Sequence, residues 1–281
     1  MKSPFGWILG GLALALAASS PAGAQTVASP WLDHDGRAQT RLVAAQHEGR
    51  LVAFVEILMP EGWKTYWRNP GDAGGLPPTF DFAKSTNLAS ARVLYPAPKR
   101  LADRAGETIG YKGRALFPVE IAPAAVGKPV TLNLAAHFGV CREICVPLDA
   151  SHTLTAETGI VGPAEGVLLD ALNSVPRQVA DAKDGDPKVV RAEVDSYEPP
   201  AQITIVATFP GGGQGADLFI EAPDGLYVPM PKRLADPAAD GTVAFQSTFG
   251  SAAELKQILG KPLKVTLVGA SGQTESVVTI E

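Results

Sequence analysis

Cysteine is scarce in this chain: two residues in 281, Cys141 and Cys145. So small a number excludes a fold stapled by disulfides, and the cores must be held by packing. A second close cysteine pair is missing, which excludes a four-ligand structural zinc site. Histidine numbers 4, and none lies beyond residue 159. After residue 24 no segment approaches the roughly 18 uninterrupted apolar residues of a membrane-spanning helix. A basic stripe is absent as well. Lys and Arg number 24 against 29 Asp and Glu, a formal net charge of −5, which argues against nucleic acid as a partner. Gly211-Gly212-Gly213 follows Pro210 and lacks a Lys-Ser/Thr sequel, so it reads as a hairpin tip rather than a phosphate loop.

What is present begins with an export signal. Lys2 supplies a positive charge, the apolar run from Trp7 to Ala18 has the length of a signal core, and Ala22-Gly23-Ala24 is an A-x-A-like cleavage site. Residues 1–24 are expected to be removed, leaving a product that is exported, not membrane-spanning and periplasmic. Such a compartment permits disulfides and keeps them closed unless electrons are delivered. Hydrophobic content of 46%, with dispersed charge, indicates a folded protein.

Strand patterns dominate the rest. Leu51 to Leu58, Arg92 to Tyr95, Leu116 to Ile121, Val130 to Phe138 and Val146 to Thr155 are apolar or alternating runs bounded by Gly, Pro and Asp. They suggest a β-sandwich over 25–159. Pro163 and the stripe Val167, Leu168, Ala171, Leu172 predict a short helix ended by Pro176. The polar stretch from Asp181 to Pro187 reads as a linker, so 160–186 is helix and linker. Val189 to Val194, Gln202 to Phe209, Asp217 to Glu221, Thr242 to Phe249, Leu263 to Val268 and Ser276 to Ile280 are candidate strands of a second block, 187–281. Ser251 with Glu254 is a capping-box pattern for one short helix ending at Gly260.

The cysteines sit at a hairpin tip. Leu132, Leu134, Ala136, Phe138 and Val140 alternate onto one face; Asn133, His137, Gly139 and Cys141 fall on the other. Cys141 is therefore expected on the outer face or an edge. A reversal at Arg142-Glu143-Ile144 sets Cys141 opposite Cys145, within disulfide range, and His137 opposite Asp149. His137 then stands roughly 13 Å along the strand from Cys141, too far to act as base on its thiol. Arg142 is a candidate for favouring a thiolate, with Glu143 opposing it. A bridge over three intervening residues removes little entropy from the unfolded chain. The pair reads either as a small local staple or as a redox couple. A third reading makes Cys141, Cys145 and His137 soft ligands for copper, with two thiolates an incomplete site.

The run His137-Phe138-Gly139-Val140-Cys141-Arg142-Glu143-Ile144-Cys145-Val146-Pro147 resembles the active-site hairpin of the N-terminal periplasmic domain of DsbD-type thiol:disulfide interchange proteins, most closely the ScsB branch. Gly62-Trp63-Lys64-Thr65-Tyr66-Trp67-Arg68-Asn69-Pro70-Gly71-Asp72-Ala73-Gly74, Tyr95-Pro96-Ala97-Pro98 and Gly110-Tyr111 fit in the same order. The resemblance covers roughly Thr40 to Thr155. It implies an immunoglobulin-like sandwich whose Cys141 and Cys145 are the exchanging pair, with no cofactor. Asp103 to Tyr111 would be the segment that caps the pair. Arg104 and Ala105 fall where the family has its shielding aromatic. Tyr111, with Arg142, Glu143 and His137, is a possible modulator. The implied partners are a thioredoxin-like periplasmic protein or membrane electron transporter as donor, and oxidised periplasmic proteins as acceptors. Both the transmembrane conduit and the C-x-x-C of a thioredoxin-like domain are missing from this chain, so these are expected on separate proteins.

The expected fold class is thus all-β: two immunoglobulin-like β-sandwich domains joined by a short helix and linker. The favoured function is thiol–disulfide exchange, as a protein-disulfide reductase. The alternatives are a copper-binding or copper-tolerance module using the same thiols, and a non-catalytic adaptor with an inert bridge. Trp63, Tyr66 and Trp67 suit a partner-binding ledge or a core equally. Pro70-Gly71-Asp72 reads as a turn, and Lys99-Arg100 as solvated surface.

Overall fold

The computed structural model describes residues 27–103, 106–157 and 165–281. The expected signal segment, Arg104, Ala105 and Pro163 lie outside them. The described residues are mostly β, in four sheets. Gln39–His47, Arg50–Leu58, Arg114–Pro123 and Leu88–Val93 are consecutive neighbours in one sheet, edged by Val27–Ala28. The facing sheet runs Cys145–Ala156, Val130–Cys141, Lys64–Tyr66, Gly106–Lys112 and Lys99–Asp103. Between them lie Leu42, Val55, Ile57, Trp67, Phe117, Leu132 and Phe138, all but inaccessible to water. This is the sandwich that period-two alternation demands, with one face of each strand buried against the other sheet.

The cysteine hairpin is the longest element. Its two 12-residue strands pair without a register break from Val130↔Ala156 to Cys141↔Cys145. Leu132, Leu134, Ala136 and Phe138 are buried, while Ala135 and His137 on the other face are exposed. A one-residue slip would expose all four apolar side chains, which is why the alternation alone fixes the register.

Two further sheets follow. Ala201–Thr208 lies between Lys188–Ser196 and Thr242–Phe249; Leu263–Val268 lies between Asp217–Glu221 and Gln273–Val278. Ile203, Phe209, Leu218, Phe245, Leu255 and Val265 form their shared core. Ser251 caps the helix Ala252–Ile258, accepting a 3.2 Å hydrogen bond from the Glu254 amide. Among the described residues, Glu165–Asn173 is the other α-helix. It seats Leu168 on the outer face of the first sandwich, beside Val43, Val52 and Phe54.

The polar segment before residue 187, read as a linker, is anchored at its end. Asp186, almost wholly buried, accepts hydrogen bonds from Arg177 Nε and the Lys183 amide, both at 2.7 Å. Arg177–Gln178 also adds a parallel edge to Gln273–Val278. Arg100 is not solvated surface: its guanidinium binds the Asp217 carboxylate at 2.8 Å and the Pro231 carbonyl at 2.6 Å. The strand expected at Arg92 to Tyr95 ends at Val93. Tyr95 leaves the ladder to donate its hydroxyl to the Pro78 carbonyl and pack edge-on against Phe117.

Candidate functional site

Cys141 and Cys145 form a disulfide at the hairpin tip, their Cα atoms 4.1 Å apart. Arg142, Glu143 and Ile144 bridge them on the surface, Ile144 among the most exposed apolar side chains. The two sulfur-bearing residues differ sharply. Cys145 is exposed, whereas Cys141 is only 7% accessible. The outer face on which Cys141 was expected is therefore covered. Lys64–Tyr66 pairs beside the hairpin, with Lys64 directly opposite Cys141. The chain then leaves this strand and returns over the outer face, where the Gly139 amide donates to the Leu76 carbonyl at 3.0 Å.

The cover is close enough to require glycine. A side chain at Gly75 would stand inside the Tyr66 ring, and one at Gly139 would meet Leu76 at 2.8 Å and the same ring at 3.2 Å. The tyrosine is 2% accessible. Its hydroxyl lies 3.0 Å from Cys145 Sγ. A disulfide sulfur bears no proton, so the hydroxyl is the donor. Burial, reinforced by the Asp103 carboxylate, pushes the Tyr66 hydroxyl above the ordinary tyrosine range and keeps it protonated.

Beside this lies a charge pair between buried Lys64 and the partly exposed Asp103. Lys64 Nζ is 2.6 Å from Asp103 Oδ2 and 2.7 Å from Thr108 Oγ1. Thr108 Oγ1 in turn donates to the Leu101 carbonyl at 3.2 Å. Lys64, Tyr66, Asp103, Thr108, Cys141 and Cys145 all line one cleft of about 670 Å³. A disulfide at the mouth of such a cleft is open to nucleophilic attack on its exposed sulfur. The Lys64 ammonium lines the same cleft, and a cation near a thiol favours the thiolate.

The other sequence candidates are distributed as follows. Arg142 and Glu143 line the cleft rim, and the Arg142 stem runs toward Gly62. His137 pairs with Asp149 as expected, its Nδ1 2.8 Å from the carboxylate, on the exposed face and four register positions from the cysteines. Tyr111 does not reach the cleft. It stands edge-on to Phe117 at 5.4 Å and donates its hydroxyl to the Pro96 carbonyl at 2.9 Å inside the core. No group of three or more His, Cys, Asp or Glu side chains among the described residues converges as a metal site. Trp67 is core, and Trp63 packs against it partly buried.

Sequence reasoning missed Lys64, Asp103 and Thr108 as a unit and did not single out Tyr66 as a sulfur partner. A lysine and a tyrosine two apart, on one face of an otherwise buried strand, were the available signal.

Residues 34–157 match the family model described as thiol:disulfide interchange protein DsbD, N-terminal. That segment contains the whole cleft. No curated protein sequence matches the chain. The structure is similar to the crystal structure of the N-terminal periplasmic domain of ScsB from Proteus mirabilis. The TM-score is 0.69 at 21% identity, over 91% of this chain and 99% of that one. The likeness therefore extends through both pairs of sheets. The reduced N-terminal domain of Neisseria meningitidis DsbD matches over 45% of this chain and 90% of its own, at 18% identity and a TM-score of 0.29, too low to bear on the fold.

Proposed function

We propose that this chain is a periplasmic thiol–disulfide exchange protein, a protein-disulfide reductase whose working pair is Cys141–Cys145. The observation that carries the reading is the asymmetry of the pair: Cys145 is exposed, while Cys141 is buried in a cleft that Lys64 also lines. The matched family is one of thiol:disulfide interchange. Among the described residues no helix is long and apolar enough to cross a membrane. The ScsB domain of similar fold is described as periplasmic.

The exchange runs as follows. A donor thiolate attacks Cys145 Sγ; the Cys141–Cys145 bond breaks and Cys141 leaves as thiolate in the cleft that Lys64 lines. The donor's second thiolate then attacks the donor sulfur of the mixed disulfide and releases Cys145. Two electrons have moved onto this chain and the donor has closed its own disulfide. The reverse sequence passes them on: Cys145 thiolate attacks an oxidised protein, and Cys141 resolves the mixed disulfide. Tyr66 favours charge on Cys145 in both directions. The donor is a thioredoxin-like protein or membrane electron transporter, and the acceptors are oxidised periplasmic proteins.

We assign the chemistry to residues 25–159, a connecting role to 160–186, and no reactive group to the second sandwich, 187–281. Every cysteine and histidine of the chain lies in the first of these segments.

The test has two arms. Equilibration with glutathione gives the reduction potential, and a value below about −300 mV would mark a structural bridge instead. With a purified thioredoxin-like donor, Cys141→Ala should accumulate a mixed disulfide through Cys145, and Cys145→Ala should accumulate far less. Failure of both variants to trap the donor would overturn exchange.

A further inference from the structure

We propose that the second sandwich is a positioning element for the cysteine site, acting through the strap 67–76 that seats Tyr66 on Cys145. The strap leaves the site at Trp67 and returns to it at Gly75 and Leu76, and its far end is built into the second sandwich.

The outward leg is held by charge. Arg68 binds Glu221 with both arms of its guanidinium, Nε to Oε1 at 2.9 Å and Nη2 to Oε2 at 2.6 Å, and also pairs with Glu275. Burial alone would lower the guanidinium's affinity for its proton, but the two carboxylates more than reverse that. A planar fork matched to a carboxylate fixes direction as well as distance. Asn69 donates its side-chain amide to the Ile220 carbonyl at 3.3 Å.

The tip is held by packing and by Asp72. Its carboxylate accepts from the Tyr227 hydroxyl at 2.8 Å and from the Met230 amide at 3.1 Å. Gly71 adopts a positive φ of 82° with Met230 Sδ so near that a side chain there would meet it at 2.7 Å. Met230 and Phe219, though in the second sandwich, are buried in the core of the first, Phe219 at 5.7 Å from the Trp67 ring.

The return leg ends at the site. Gly75 presses on the Tyr66 ring and Leu76 closes over Gly139, two residues before Cys141. A rotation of the strap would therefore move the ring that it clamps. The hydroxyl on that ring stabilises a sulfur anion, so its placement bears on the stability of the reduced pair.

The inference deepens the proposed function and rests on it for its physiological meaning, but its readout is the equilibrium of the pair with glutathione, which needs no protein partner. Five full-length variants serve: Arg68→Lys, Asp72→Ala, Tyr66→Phe, and Tyr66→Phe combined with each of the first two. Arg68→Lys and Asp72→Ala should each shift the equilibrium toward the disulfide by about threefold, ~15 mV for a two-electron couple, with cooperative melting retained. In the Tyr66→Phe background the same substitutions should change it by less than about 1.5-fold, because their effect passes through that hydroxyl. Shifts undiminished without the hydroxyl would overturn the proposal, as would a folded variant that leaves the equilibrium unmoved. Should Arg68→Lys melt without a cooperative transition, Asp72→Ala, made on an exposed side chain, decides. Loss of partner exchange with these shifts intact would count against the proposed function and not against the strap.

Discussion

Tyr66 and Cys145, separated by 79 positions in the chain, meet with hydroxyl oxygen and sulfur 3.0 Å apart. The contact gives the disulfide a hydrogen-bond donor at its exposed residue, Cys145, whose sulfur a partner would attack first. In the disulfide the bond is weak, because a bridged sulfur is a poor acceptor. In the thiolate it is strong.

Tyr66→Phe should therefore lower the reduction potential while costing little stability, about 1 kcal/mol or less. Glutathione equilibration and thermal melting check the two parts separately. A potential unchanged beside a large loss of stability would make Tyr66 a core residue only.

Lys64→Met should slow alkylation of the reduced pair at neutral pH. The ammonium of the residue opposite Cys141 in the strand pair is removed from the cleft, and Asp103 and Thr108 lose a partner at 2.6 and 2.7 Å. The accompanying loss of stability should be about 2 kcal/mol, moderated by the partial exposure of Asp103. Alkylation rates across pH, with melting as control, decide. A rate profile identical to that of the unaltered protein would remove Lys64 from the site.

The double Cys141→Ala, Cys145→Ala variant should keep a cooperative transition. The loop that the bridge closes is so short that its chain-entropy contribution is about 2 kcal/mol. Two separate cores, one around Phe117 and Phe138 and one around Phe209 and Phe245, carry the fold without it. Loss of the transition would make the bridge a staple.

Acid should destabilise the first sandwich through two histidines. His152 lies between Ser29 Oγ at 3.0 Å and Thr40 Oγ1 at 2.9 Å, and His34 reaches the same Thr40 oxygen at 3.1 Å. Burial, then the neighbouring His34, holds His152 below the ordinary histidine value of 6.5; burial also lowers His34, against Asp33 and Asp35. The unfolded chain therefore binds more protons than the folded one in this range, and stability rises with pH. It is fully present above 6.5 and is lost as pH falls through the depressed folded values. Melting temperatures compared across that window should show the loss, and His152→Gln should reduce it. An unchanged pH dependence in that variant would assign the effect elsewhere.

The hairpin was legible in the sequence to the residue. Alternation from Leu132 to Val140 and a three-residue reversal set Cys141 against Cys145 and His137 against Asp149, as the ladder has them. Asp217–Glu221, Thr242–Phe249 and Leu263–Val268 were legible for the same reason: side-chain period is a local property that burial of one face imposes on each strand. Neighbours in a sheet are not local. Lys64–Tyr66 is only three residues long and opens on Lys and Thr; nothing within it shows that it lies beside the cysteine strand, or that its lysine stands opposite Cys141. Arg100 looked solvated until Asp217, 117 positions away, arrived beside it. The sequence by itself determined which residues form strands and that two thiols share a tip. Only the tertiary structure decided which sulfur is buried and what touches it, because those facts depend on segments that meet through packing and share no pattern along the chain.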